Sequence, residues 1–219
     1  MTKTVRYVQG MAIEASSLYG EHLVRAASVE ELKKCIVKQV WQFLDPQTYI
    51  KGVIPSKMFL TPKKKPNGDI DEIKGRIVAG GHRQDRSLFQ DSDISSSTVA
   101  LTSVLAAAAV AAQQGHHVMT LGHKAAYLNA RMEGSPVTMQ RDPGVASLLC
   151  SMNTEYKKFL RHDGKIIEQL RKALYGCRQS AVLLYKELTS TIIGLGFQRN
   201  LGGEPPVQHE HGIQEIFKT

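Results

Sequence analysis

The chain has 219 residues, and its 42% hydrophobic and 22% charged content excludes wholesale disorder. The chain has 28 Lys and Arg residues against 20 Asp and Glu residues, which gives a net charge of +8. This charge favours a polyanionic partner such as nucleic acid or an anionic membrane. A basic solvated surface is the alternative interpretation. Cys35, Cys150 and Cys177 are too far apart for a Cys-x-x-Cys zinc motif or a disulfide framework, which favours a reduced intracellular setting. No secretory signal is predicted, because the N-terminal segment MTKTVRYVQGMAIE has no apolar core. No transmembrane segment is predicted either, because the most apolar run, residues 99–112, is too short to cross a bilayer.

The first predicted element is a helix that begins at Ser28. Ser28 and Glu31 have the spacing of a capping box, in which each side chain accepts a hydrogen bond from the other residue's backbone. Apolar residues recur at helical spacing from Leu32 to Phe43, and Asp45-Pro46 is predicted to end the helix.

A β-hairpin is predicted next. Extended stretches at residues 54–61 and 70–78 flank a basic segment that contains Asn67-Gly68. Both turn residues tolerate a positive φ, so this dipeptide between two extended stretches predicts a tight hairpin turn.

Helices and short strands alternate in the second half. The predicted elements are a helix at 99–114 capped by Ser95 to Thr98 and stopped by Gly115, a strand at 117–121, a helix or tight turn at 125–131, strands at 137–139 and 165–171, a helix at 180–195 closed by Gly196, and a loose tail after Asn200. This order of elements predicts an α+β fold.

Four segments in succession resemble a known family. They are IPSKMFLTPKKKPNGDIDEIKGRIVAGGHRQDR at 54–86, SSSTVALTSV at 95–104, MTLGHKAAYLNARM at 119–132 and KALYGCRQSAVLLYKEL at 172–188. Together they resemble the reverse transcriptase of Ty1/copia-type retrotransposons over residues 36–200. The resemblance implies a partial right-hand polymerase fold, with fingers plus an incomplete palm. It divides the chain into an N-terminal lead (1–27), a fingers-like region with the basic hairpin (28–94), a partial palm (95–200) and a divergent tail (201–219).

The resemblance also implies an RNA-directed DNA polymerase that binds an RNA or DNA template-primer and a deoxynucleoside triphosphate. Lys74 and Arg76 match the fingers strand whose cations contact the triphosphate. Their alternation also predicts one shared strand face, with Gly75 pointing away, and a solvated hairpin face is the alternative interpretation. Tyr127 matches the aromatic residue under the incoming sugar, where a flat ring excludes a 2′-hydroxyl; a buried aromatic residue is the alternative.

Two further regions have interpretations that depend on the resemblance. Gly176 and Gln179 match the loop behind the nucleotide, where the glycine admits a close ligand and the glutamine donates to a base or sugar; a plain turn and a polar helix start are the alternative. The tip lysines Lys63, Lys64 and Lys65 are interpreted either as a solubilising turn or as contacts to a nucleic-acid backbone.

Catalysis is not predicted for this chain. In the family, three aspartates hold two Mg²⁺ ions, but Gly122 occupies the first of these positions and no Asp-Asp pair occurs anywhere in the sequence. We therefore expect no catalytic residue, no metal site and no bound cofactor in this chain. We also expect weak or no template binding, no membrane partner and an aggregation-prone product. The alternatives are a non-catalytic nucleic-acid-binding remnant that uses the basic hairpin, and an unrelated basic interaction protein.

Overall fold

The computed structural model describes residues 5–6, 20–48, 50–96, 99–118 and 122–196. Helices and strands are mixed along these ranges, so the predicted α+β class is confirmed. The elements are β1 (Val5–Arg6), α1 (Glu21–Val37), β2 (Trp41–Phe43), β3 (Ile54–Lys64), β4 (Ile70–Ala79), α2 (Leu101–Gln113), β5 (Thr138–Arg141), α3 (Pro143–Met152), β6 (Ile166–Leu170) and α4 (Ser180–Gly194).

The strands form one sheet with the order β1-β3-β5-β6-β2, and β4 also pairs with β3. β3 is the longest strand, and its pairing with β4 is antiparallel from Ser56 opposite Ala79 to Lys64 opposite Ile70. Ile54 and Pro55 at the start of β3 pair in parallel with β5. The predicted hairpin is confirmed, and Gly68 in its turn has a φ of 92°.

Helix α1 packs against the hairpin at a glycine. A Cβ atom on Gly75 would lie 2.7 Å from the Ala27 carbonyl oxygen, closer than real Cβ contacts, so only glycine lets the helix come this near. Lys74 and Arg76 are exposed on the other face of the strand, as predicted, whereas Ile73 is buried. The alternation of the strand therefore places the cations away from the core.

The predicted boundaries of the first helix are wrong. Helix α1 begins at Glu21, and the Ser28 hydroxyl donates within the helix to the Val24 carbonyl at 2.8 Å. The chain then turns at Gln39, whose φ is 53°, and Trp41–Phe43 forms a strand that pairs with β6. The apolar pattern runs on past the end of α1 into β2, and such a pattern does not distinguish further helix from a short buried strand.

The serine cap predicted for the alanine-rich helix is also wrong. Helix α2 starts at Leu101, and its N-cap is Ala100, which makes no side-chain capping bond; Ser97 and Thr98 lie outside the described residues. The predicted stop is confirmed, because Gly115 has a φ of 67° and the following His116 amide donates to Ala111 at 2.8 Å.

Most later predictions agree with the structure. Strands β5 and β6 and helix α4 lie where the sequence placed them, Gly196 has the positive φ of a helix stop, and Ala126–Asn129 forms a 3₁₀ turn. Of the strand predicted at 117–121, residues 119–121 lie outside the described range, and His117 and Val118 are not in a strand. The tail after Asn200 also lies outside it. No helix within the described parts of the chain is long and apolar enough to cross a membrane.

Candidate functional site

A cavity of about 670 Å³ is lined by residues from the second half of α1, from strand β4 and from the turn at residues 123–128, and by Tyr175. Its volume is in the range of small-ligand sites. Five cationic side chains and three glutamates line it, so its wall carries a net positive charge. The five cations are Lys34, Lys38, Lys74, Arg76 and Lys124.

Lys74 and Arg76 have different surroundings within this cavity. Lys74 Nζ lies 3.2 Å from Glu72 Oε1, and its hydrogen bond lowers the pKa of the Glu72 carboxyl below its ordinary value. The Arg76 guanidinium lies 5.8 Å from the centre of the Tyr175 ring, within reach of a cation–π interaction. Arg76 thus keeps its hydrogen-bond donors available to an anion, whereas Lys74 shares its charge with a carboxylate.

Tyr127 lies behind Tyr175 instead of lining the cavity. The two rings meet edge to face, with centroids 4.8 Å apart and planes at 78°. Tyr127 also packs on a small cluster formed by Ala130, Ala173 and Leu183. Arg76 and Tyr127 therefore both contact Tyr175, a residue for which the sequence predicted no role of its own.

Gly176 and Gln179 make close contacts with other residues of the protein. A Cβ on Gly176, whose φ is 89°, would lie 2.2 Å from the Ala79 carbonyl oxygen. The buried Gln179 side chain accepts a hydrogen bond from Gln84 at 3.1 Å and donates to the sulfur of Met132 at 3.3 Å. Neither residue lines the cavity. Gly176 lets the Tyr175 loop approach the end of β4, and Gln179 ties the start of α4 to Gln84 and Met132.

The three tip lysines also lie away from the cavity. Lys63 Nζ is 3.5 Å from Asp71 and 3.6 Å from Glu72, so its charge is partly neutralised. Lys64 and Lys65 are exposed, and neither forms an ion pair with a described residue. Only these two lysines present a full charge at the hairpin tip.

Gly122 is exposed next to the cavity-lining His123. A Cβ atom added to Gly122 would have no heavy atom of a described residue within 4 Å, so these residues leave space for a larger side chain. Within the described residues, no three His, Cys, Asp or Glu side chains are grouped as metal ligands. Since Gly122 offers no side-chain oxygen, its position does not fit the family's Mg²⁺ ion.

Lys38 belongs to the site but was missed from the sequence. It donates to Asn129 Oδ1 at 2.6 Å, and Asn129 Nδ2 lies 2.9 Å from His123 Nε2. Lys38 and Asn129 are 91 residues apart, so no local pattern links them.

Comparisons with known proteins show the family of this chain. A family model described as reverse transcriptase (RNA-dependent DNA polymerase) matches residues 38–205. This chain belongs to that reverse transcriptase family. The match covers both the hairpin and the Tyr127 and Tyr175 segments.

Two polyproteins of Arabidopsis thaliana are similar to this chain. The Retrovirus-related Pol polyprotein from transposon RE1 is 25% identical over 174 residues, 79% of this chain and 11% of the polyprotein. That from transposon RE2 is 23% identical over 177 residues, 81% of this chain and 11% of the polyprotein. The chain thus spans about a tenth of the length of these curated relatives. No solved structure matches it.

Proposed function

We propose that this retrotransposon reverse transcriptase fragment is of the Ty1/copia type and has no polymerase activity of its own. The observation that carries the proposal is Gly122, which stands where the resemblance places the first metal-binding aspartate. Following the resemblance, residues 28–94 are assigned to the fingers and 95–200 to a partial palm. A cavity lined by both β4 and the turn at residues 123–128 supports this assignment.

The missing carboxylate accounts for the loss of activity. Phosphoryl transfer develops charge on the attacking and leaving oxygens, and metal ions held by carboxylates stabilise both. A glycine offers only backbone groups, which lack the negative charge that anchors Mg²⁺. The cations of the hairpin hold an anion but do not replace a metal ion that activates the primer hydroxyl.

In this proposal the cavity contacts a nucleotide through Lys74 and Arg76, and Tyr127 acts through the Tyr175 ring that it supports. Direct contacts from Gly176 and Gln179 stay a prediction. Their burial and internal bonds support an indirect role, in which they fix the Tyr175 loop.

Primer extension tests the proposal. The purified chain is incubated with an RNA template, a DNA primer, all four dNTPs and Mg²⁺, and we expect no product above a protein-free blank. The variant Gly122→Asp is the matched sample, and we expect it to stay inactive because one carboxylate does not complete a two-metal site. Template-dependent extension by the natural chain would refute the proposal.

Nucleic-acid binding through the hairpin is a second candidate, favoured by Lys64 and Lys65, which are exposed and form no ion pair with a described residue. Affinity for an RNA–DNA hybrid is measured at several salt concentrations. The double variant Lys64→Ala, Lys65→Ala is expected to lower the slope of log affinity against log salt by about one to two. Lys33→Ala with Lys57→Ala, which removes two exposed lysines elsewhere, is the control. An equal change in both double variants would exclude a specific role for the hairpin tip.

A further inference from the structure

We infer that Lys38 is an anion-binding residue of the cavity, and that the cavity binds a polyphosphate group without a divalent ion. The inference rests on the proposal that Lys74 and Arg76 face a phosphate. It adds a contribution from helix α1, which the family resemblance does not assign to the site.

The free charges of the cavity point to an anion. Lys34 is paired with Glu31 at 2.6 Å and Lys74 with Glu72 at 3.2 Å. The other three cations, Lys38, Arg76 and Lys124, form no ion pair with any residue that the structure describes. The remaining glutamate of the lining, Glu30, offsets one of these charges, so the cavity wall keeps a net charge of +2 until an anion enters.

These three cations come from three separate elements. Lys38 lies at the C-terminal end of α1, Arg76 on β4, and Lys124 on the turn that follows Gly122. An anion inside a space of about 670 Å³ is therefore approached from several directions. A chain of linked phosphates suits this arrangement better than a single small ion, because its oxygens are spread over several ångströms and each cation can contact a different group.

Lys38 is positioned by a neutral partner. Asn129 Oδ1 accepts one of its hydrogen bonds at 2.6 Å, which leaves two ammonium hydrogens for a ligand. Because an amide carries no charge, it orients the lysine without neutralising it. Asn129 is itself held by contacts to His123 at 2.9 Å and to the Ala125 carbonyl at 3.4 Å, so the ammonium group is ordered before a ligand arrives.

Isothermal titration calorimetry on the full chain tests the inference. The probes are inorganic tripolyphosphate and dATP, each in low-salt buffer with EDTA so that no divalent ion takes part. The variants are Lys38→Met and Asn129→Asp. The control is Lys33→Met, which removes the same charge from an exposed site of the same helix outside the cavity.

We expect both probes to bind the natural chain. Lys38→Met should weaken tripolyphosphate binding about tenfold, the effect of losing one charge-assisted hydrogen bond, and Lys33→Met should change it less than about twofold. Asn129→Asp keeps Lys38 in place but neutralises it, so it should weaken binding about as much as Lys38→Met. If Lys38→Met fails to show a cooperative melt, the tripolyphosphate affinity of Asn129→Asp tests the inference in its place.

Three results would overturn the inference. They are the absence of tripolyphosphate binding, equal weakening by Lys33→Met and Lys38→Met, and full affinity in Asn129→Asp. The titration contains no metal and no primer, so a negative result contradicts this inference without bearing on the proposed lack of polymerase activity. Primer extension alone tests that lack of activity.

Discussion

Arg141 and Glu168 form an ion pair in the interior of the protein. Arg141 Nε donates to Glu168 Oε2 at 2.9 Å, and Nη2 lies 2.8 Å from the same oxygen. The side chains are 1% and 0% exposed. The guanidinium also lies 4.4 Å from the centre of the Trp41 ring and contacts Ser56 Oγ at 3.3 Å. The pair therefore ties β5 and β6 to β2 and β3.

Breaking this ion pair on one side should be costly. Glu168→Gln leaves a buried guanidinium without a counter-charge, and we expect it to lower the free energy of unfolding by about 3–5 kcal/mol in urea titrations. The double variant Arg141→Met, Glu168→Leu should recover most of this loss because no lone charge stays buried. Lys158→Ala breaks the exposed pair with Glu155 and should change stability by less than about 1 kcal/mol. A cost for Glu168→Gln as small as that would contradict the prediction.

Gly176→Ala should destabilise the junction between the hairpin and the Tyr175 loop. Its positive φ already disfavours a side chain, and the new Cβ would meet the Ala79 carbonyl. We expect a loss of about 3 kcal/mol or more in chemical unfolding. Gly52→Ala is the matched control, since Gly52 has a φ of 78° but nothing within 4 Å of an added Cβ, and it should cost only about 1 kcal/mol. Equal losses would show that the close approach to Ala79 has no effect.

Gly122→Asp should fold as well as the natural chain. The added side chain enters open space, so the free energy of unfolding should change by less than about 0.5 kcal/mol. Thermal melts followed by circular dichroism measure this. A large fall in the melting temperature would mean that the segment around Gly122 is more closely packed than the structure shows.

The cysteines should be unreactive in the folded protein. Burial raises the pKa of the Cys35 and Cys177 thiols to about 12, and burial also raises the pKa of Cys150. At pH 8 the Ellman reagent should therefore react more than about 100-fold faster in denaturant than in native buffer. Rapid labelling of one thiol in native buffer would place that cysteine at the surface.

The same two raised pKa values predict that alkali destabilises the fold. Between the ordinary thiol value of 9.0 and about 12, Cys35 and Cys177 keep their protons when folded and lose them when unfolded. The folded state then binds more protons, so the free energy of unfolding falls as the pH rises. Urea titrations at pH 8 and pH 10 test this, with Cys35→Ala and Cys177→Ala together as the control that should reduce the pH effect.

Helix α2 should promote self-association. None of its described residues is buried, and Leu101, Val104 and Leu105 are 72%, 51% and 60% exposed. Leu101→Glu with Leu105→Glu should reduce light scattering at high protein concentration. Gln113→Glu with Gln114→Glu adds the same charge at the end of the helix without removing apolar surface. Equal improvement by both double variants would assign the effect to charge alone.

Local sequence determined the hairpin, the cationic face of β4 and the ends of two helices. Asn67-Gly68 and Gly115 dictate these features because their backbone preferences act within a few residues. The failed predictions include the cap at Ser28, the serine cap of α2, the strand at His117 and Val118, and the helix predicted over Trp41–Phe43. Residue spacing allowed a helix there, but pairing with β6 fixed a strand, and that pairing joins segments more than 100 residues apart.

Sequence alone also determined that position 122 carries no carboxylate, since a residue's chemistry does not depend on the fold. Only the tertiary structure decided which cations share the cavity and which are neutralised. It placed Lys38 beside Asn129, enclosed Gln179 and buried Arg141 with Glu168. These outcomes depend on distances between remote segments, and such distances are set by the packing of the whole chain.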